Sequence, residues 1–216
     1  MSICLAIADL DWDVTKDVFD VVGTVISVVG VGFAAYIGLS GLKTWRLQTK
    51  GTADHELARR ILIALYGYRD AIRKVRNPMV LSFEMEPGKD EKPDDDPKLK
   101  NINENRRVYS RRFENLGQSK NPLSVALVEA EAVWGAELLE RMSCLFKLER
   151  ELFIHIRSFL ITIDPKDEEL QVAYRRILKK GRDVLYETDI PDDEFHNDLL
   201  AAIKHVEAYL REKLLR

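Results

Sequence analysis

The sequence predicts an all-α protein, with one N-terminal transmembrane helix at residues 21–42 and then an antiparallel bundle of four or five helices, one of them long. Three observations predict it. Residues 21–42 contain no charged side chain. Beyond them, apolar residues recur at three- and four-residue steps, the period of a helix face. No segment alternates with period two for long enough to make a strand. The 216 residues leave room for a membrane segment and one domain of ordinary size. At 46% apolar and 32% charged, the chain can bury a core and is not an intrinsically disordered one. A net charge of −3 gives no overall attraction to nucleic acid.

The membrane segment reads VVGTVISVVGVGFAAYIGLSGL. As a helix its 22 residues span roughly 33 Å, against a hydrocarbon core of about 30 Å. Valine is indifferent to helix in water, but in lipid an open strand leaves its backbone groups unpaired, so the helix wins. Asp20 and Lys43 bracket the run, and Trp12, Tyr36 and Trp45 fall near its ends, where amphipathic aromatics prefer to sit. A cleaved signal peptide would want a basic leader, a shorter run and a small-residue exit. Here the preceding segment is acidic and the exit reads GLSGLKTW. A core helix of a soluble domain would keep a polar stripe, and this run has none.

Orientation follows from the basic residues. Lys16 stands alone among Asp9, Asp11, Asp13, Asp17 and Asp20, whereas Lys43, Arg46, Lys50, Arg59 and Arg60 follow the helix. The positive-inside rule then places residues 1–20 outside as a short extracytoplasmic tail and residues 43–216 in the cytoplasm. Lys43, Arg46 and Lys50 would meet anionic lipid headgroups. Cys4 and Cys144 would lie on opposite sides of the membrane and could not pair; within an apolar run, Cys144 reads as a small buried hydrophobe.

Within the run, Gly23, Ser27, Gly30, Ala34, Gly38 and Gly41 share one helix face. Small residues let membrane helices approach closely, so this stripe predicts a homo-oligomer. The competing reading is that glycine is simply commoner in membrane helices.

Past the membrane, Gly51 and Thr52 signal a break and an N-cap. A helix then presents Leu57, Ile61, Leu65, Tyr68, Ile72 and Val75 on one face and ends at Asn77-Pro78. Arg59, Arg60, Arg69, Arg73 and Arg76 decorate its other faces, and Arg69 and Asp70, as neighbours in sequence, each call for another partner. Residues 86–101 carry three prolines and a charge run with no apolar period, and read as a mobile loop. A helix bearing Arg106, Arg107, Arg111 and Arg112 follows and stops near Gly117. Asn121-Pro122 then caps a long helix reaching about Ile163, kinked near Gly135 or running as a continuous spine. Its stripe is Leu138, Met142, Leu145, Leu148, Leu152, Ile156, Phe159 and Ile163. Asp164-Pro165 starts a helix with Leu170, Ala173, Ile177, Val184 and Leu185 inward. After Ile190-Pro191 a last helix presents Phe195, Leu199, Ile203, Val206, Leu210 and Leu214.

Few residues point to chemistry. Glu151 and His155 are i and i+4, and Asp192, Asp193, Glu194 and His196 cluster before the last helix. A di-iron bundle needs Glu-x-x-His pairs on two helices, and there are none, so the acidic cluster reads as residues favouring a helix N-terminus. No metal and no cofactor is expected. No phosphate loop, nucleophile elbow or Cys-x-x-Cys is present. Arg106, Arg107, Arg111 and Arg112 read as a solvated face, or as paired with the acidic loop around Asp94, Asp95 and Asp96, in preference to a nucleic-acid patch.

Two resemblances add to this. Arg150-Glu-Leu-Phe-Ile-His155 resembles the Arg-x(4–6)-His motif of HEPN-type ribonucleases, which are helical bundles. The resemblance implies that Arg150 and His155 act together on an RNA phosphodiester, though Glu151 departs from the residue often found there. With 4 histidines and 33 basic residues in the chain, the preferred reading of His155 is a histidine on the flank of a packed helix. Second, residues 43–79, with Trp45-Arg46-x-Gln48-x-x-Gly51, Glu56-x-Ala58-Arg59 and Tyr68-Arg69-Asp70-Ala71-Ile72-x-x-Val75-Arg76-x-Pro78, resemble uncharacterised bacterial proteins with a membrane helix directly before this segment. That resemblance implies a bacterial inner membrane and carries no activity.

The functional expectation is a non-enzymatic interaction or sensor module. Its partners would be the bilayer, a second copy of itself and a cytosolic protein. The alternative is a HEPN-like RNA-cleaving effector, a toxin or phage-defence component, anchored at the same membrane. An effector that damages the membrane itself ranks last, because the helix lacks the polar stripe of a pore.

Overall fold

The computed structural model describes residues 12–89, 91, 96–164, 168–188 and 193–215, with the side chains of 12–15 and 98 left aside. Six helices and no strand occur among the described residues: α1 (Trp12–Val75), α2 (Ser82–Met85), α3 (Pro97–Trp134), α4 (Glu137–Ile163), α5 (Glu168–Lys180) and α6 (Glu194–Leu214). The chain divides into two compact units, Met1–Ala53 and Asp54–Arg216.

In the first unit, residues 16–50 are exposed throughout. The apolar helix starts before Val21 and does not break where Gly51-Thr52 suggested. The hydroxyl of Thr52 donates to the Gln48 carbonyl at 3.0 Å, so it is satisfied inside the helix instead of capping a new one.

The second unit has its own core. Leu57, Ile61, Leu65, Tyr68, Ile72 and Val75 are all buried, as their spacing required, and α1 ends before Asn77-Pro78. α4 packs against α3, α5 and α6, burying Leu138, Met142, Leu145, Leu148, Leu152 and Ile156. α6 contributes Phe195, Leu199, Ile203, Val206 and Leu210, with Leu214 partly buried beside them. Each such aliphatic side chain contributes about 1.5–3 kcal/mol through burial. Polar contacts tie the helices at the rim. Arg60 reaches Glu129 at 2.8 Å, Tyr66 donates to Glu207 at 2.8 Å, and Trp134 donates to Asp54 at 2.8 Å.

Several boundaries differ from expectation. α3 starts at Pro97, which shortens the charged loop; Asp90 and residues 92–95 lie outside the described residues. It then runs through both Gly117 and Pro122. A proline inside a helix removes one backbone bond, but buried Leu116, Leu123, Ala126 and Leu127 on either side hold the helix together. The break comes instead at Gly135, the one described residue in the left-handed region, at φ +81°, so the spine from 122 to 163 is two helices.

α5 buries none of its residues: Leu170, Ala173 and Ile177 are exposed, whereas Val184 and Leu185 are buried but lie past its end. Cys144 is exposed, one position off the buried stripe of α4, and Cys4 lies outside the described residues. Arg69 folds back onto its neighbour Asp70, with Nε donating at 2.8 Å, because its long side chain escapes the geometry that keeps adjacent backbone positions apart. Pro165 and residues 189–192, which include Ile190-Pro191 and Asp192, lie outside the described residues.

Candidate functional site

The first candidate is the apolar stretch of α1. It is long and apolar enough to cross a membrane, with a mean hydropathy of 2.0 and none of that window buried. Its hydroxyls have internal partners: Thr24 donates to Asp20 O, Ser27 to Gly23 O at 2.8 Å and Ser40 to Ile37 O at 3.0 Å. Such back-bonding is what a side chain needs where water is absent. Gly23, Ser27, Gly30, Ala34, Gly38 and Gly41 fall within an arc of roughly 80° at a helix's 100° per residue. A Cβ built on any of those four glycines meets nothing within 4 Å among the described residues. Lys43, Arg46 and Lys50 are exposed.

The second candidate is a groove of about 380 Å³ along α4, closed by α5 and the turn at 181–184, which Arg150 and His155 both line. Ile154, Ile177, Leu178 and Val184 give it apolar walls. His155 is half-buried, and burial lowers its pKa against the opposing pull of Asp183 and Glu151, so the imidazole is neutral at pH 7. Glu151 is engaged elsewhere. Arg182 holds its carboxylate with Nε at 2.8 Å and Nη2 at 2.7 Å, and also reaches Asp198 at 2.5 Å. Glu151, one helical turn before His155, thus gives its carboxylate to Arg182. Among the described residues no three His, Cys, Asp or Glu side chains converge to hold a metal ion.

Two buried arginines form a third feature, and both overturn expectation. Arg76, assigned to the solvent face of its helix, is 1% exposed. It donates Nε to Val184 O at 2.8 Å, and Nη2 to Tyr186 O at 2.7 Å and to both oxygens of Asp193 at 3.0–3.1 Å. The ring of Phe195 lies 4.6 Å beneath its guanidinium. Burial pushes the Asp193 carboxyl up, but the N–H groups of His196 and Thr188 and the charge of Arg76 override this and hold it below its ordinary value. Asp193 is also the N-cap of α6, accepting from His196 N at 2.9 Å, the helix-terminus role expected for this cluster. Arg112 is the counterpart at the other side of the α1 C-terminus. It grips Glu84 with Nε at 2.8 Å and Nη2 at 2.9 Å, and donates to Asn77 O and Met79 O.

No protein-family model, no curated protein and no solved structure matches this chain.

The four arginines of α3 are not a free basic surface. Arg106 bridges Asp164 at 2.5 Å, Arg107 bridges Glu91 at 2.6 Å, Arg111 donates to the carbonyls of Phe83 and Glu86, and Arg112 is buried on Glu84. Of the four, Arg107 alone pairs with a carboxylate of the charged loop, Glu91, among the described residues; Asp94 and Asp95 lie outside them. The buried knots at Arg76 and Arg112 were missed from sequence. Arg76 directly follows buried Val75, whereas Arg112 follows Arg111 and exposed Ser110, so no shared local signal announced the two burials.

Proposed function

We propose that this chain is a single-pass membrane protein of the bacterial inner membrane, with its N-terminal tail outside, whose cytosolic antiparallel helical bundle acts as a non-catalytic interaction or sensor module. The observation that carries the reading is the charge-free stretch of α1, none of whose apolar side chains is buried by the rest of the protein. An exposed apolar surface of this size is unstable in water, and a bilayer relieves it without further structure. Self-association through the small-residue arc completes the proposal. After lysis without detergent, the full-length protein should sediment with membranes on ultracentrifugation; recovery in the supernatant would sink the reading. Gly30→Ile with Ala34→Ile should lower the oligomeric mass in mild detergent, and an unchanged mass would remove the self-association part alone.

One observation favours a second reading, an RNA-cleaving effector of HEPN-like type. Arg150 and His155 line the same groove, and burial keeps His155 in the neutral form a general base requires. On that reading overexpression arrests growth and His155→Ala abolishes the arrest. Harmless expression of the wild-type chain would favour the non-catalytic module.

A further inference from the structure

We infer that the pocket on the N-terminal half of α3, lined by Arg106, Arg107, Ser110, Arg111, Gly88 and Glu91, is a binding site for a dianionic phosphate, in which Glu91 serves as a displaceable internal occupant. The pocket encloses about 510 Å³, within the range of small-molecule sites. It goes beyond the tethering reading and does not depend on it.

Glu91 shows what the cradle holds. Its carboxylate accepts from Arg107 Nε at 2.6 Å and from the backbone N–H of Gly88 at 3.2 Å, while its side chain remains 53% exposed. A side-chain cation and a backbone donor thus already converge on one anion, and that anion stands on an exposed loop residue instead of a packed one. Arg107 draws the Glu91 carboxyl below its ordinary pKa, so the occupant is ionised at neutral pH.

Charge decides which ligand can replace it. Arg111 lines the same pocket, and its partners are the carbonyl oxygens of Phe83 and Glu86, so no carboxylate bridges its guanidinium among the described residues. Those two bonds hold Arg111 in place, and its charge attracts Glu91 from a distance without a direct bridge. Arg106 stands beside it, oriented by Asp164 at 2.5 Å. A ligand bearing one carboxylate would only match Glu91, whose tether gives it an effective concentration in the millimolar range. A phosphate monoester carries close to two negative charges and extra acceptor oxygens, and inorganic pyrophosphate carries at least two at neutral pH. Either would take the position of Glu91 on Arg107 and add attraction to Arg111 and Arg106, with Ser110 as a hydroxyl donor. Guanidinium forks suit phosphate oxygens in this way. A lipid headgroup offers a phosphate too, but as a singly charged diester, and the same argument ranks it below the dianion.

The test titrates the full-length chain, in phosphatidylcholine nanodiscs at low salt, with inorganic pyrophosphate by calorimetry. Glu91→Gln should bind about fivefold tighter or more than wild type. Arg111→Gln should lose binding, and the affinity should fall as salt rises. The gain on Glu91→Gln cannot come from a misfolded protein, so it stands even where Arg111→Gln disturbs the Phe83 segment. Short-chain, water-soluble phosphatidylglycerol in a parallel titration separates the sources. Weaker binding than pyrophosphate assigns the site to a soluble dianion. Equal binding, still enhanced by Glu91→Gln, keeps the phosphate site and assigns it to a headgroup. Glu91→Gln binding pyrophosphate no better than wild type, or Arg111→Gln binding it equally well, would overturn the inference.

Discussion

The stretch of α1 from residue 18 to 47 and the helix α4 are both rich in large aliphatic side chains, yet the first buries none of them and the second buries a full stripe. The difference lies in what separates the apolar residues. In α4, Glu140, Arg141, Lys147, Glu149 and Arg150 stand between Leu138, Met142, Leu145, Leu148 and Leu152, so one face meets water while the other packs. Residues 21–42 have no such face, and no rotation of that helix gives water anything charged to solvate. Hydrophobic content alone does not distinguish a helix that packs into a core from one that buries nothing; the placing of charge does.

The strongest way to break this comparison is to give the first helix a charge. Val28→Arg with Val31→Arg puts two guanidinium groups at its centre, each opposing insertion by about 2.5–3.5 kcal/mol. The double variant should leave the membrane pellet for the supernatant or aggregates, while Leu145→Ala should sediment like wild type. Leu145→Ala acts elsewhere, lowering the stability of the helical unit by about 2–5 kcal/mol through the cavity it leaves. If the arginine variant pellets with membranes as the wild type does, the contrast between the two helices has been misread.

The next largest effect belongs to the buried arginines, which separate the helical unit from a simple apolar core. Arg76→Met strands the Asp193 carboxylate and should cost about 3–5 kcal/mol in urea unfolding of the detergent-solubilised protein. Adding Asp193→Leu should recover part of that loss, since the second change removes the unpaired charge. The pair also sets a pH dependence. The Asp193 carboxyl is held below its ordinary value in the folded state, so its contribution is complete above the unfolded value near 3.9 and is lost as pH falls through the lower folded value. The urea midpoint should therefore drop more steeply with acid below about pH 4 in wild type than in the double variant.

What was legible in the sequence follows the same division. The six inward residues of α1 in the second unit, the α4 stripe as far as Ile156 and the α6 stripe as far as Leu210 were readable because each repeats a period many times over. α5 was not, because Leu170, Ala173 and Ile177 satisfy a helical period and yet stay exposed where α5 meets α4; periodicity gives a face but not the depth of its burial. Cys144 was misplaced by one step of the same helix. Of the candidate sites, the convergence of Arg150 and His155 on one groove and the small-residue arc were legible as spacing. The knots of Arg76 with Asp193, 117 residues away, and of Arg112 with Glu84 were not, because nothing local marks an arginine for burial when its partner arrives from a distant turn.

Helix boundaries were the least legible feature, and the smallest predicted effect tests them. Gly117 and Gly135 carry the same one-residue signal, but α3 passes through the first and stops at the second. Neither glycine has an atom within 4 Å of the position a Cβ would take, so replacing either with alanine changes backbone preference and little else. At Gly135 the φ of +81° makes alanine unfavourable by about 1–2 kcal/mol. At Gly117, inside a helix, alanine should stabilise by about 0.5–1 kcal/mol. The two substitutions should thus shift the urea midpoint in opposite directions. Shifts of the same sign would mean that the break lies at neither residue or at both, and that α3 and α4 are not divided as described.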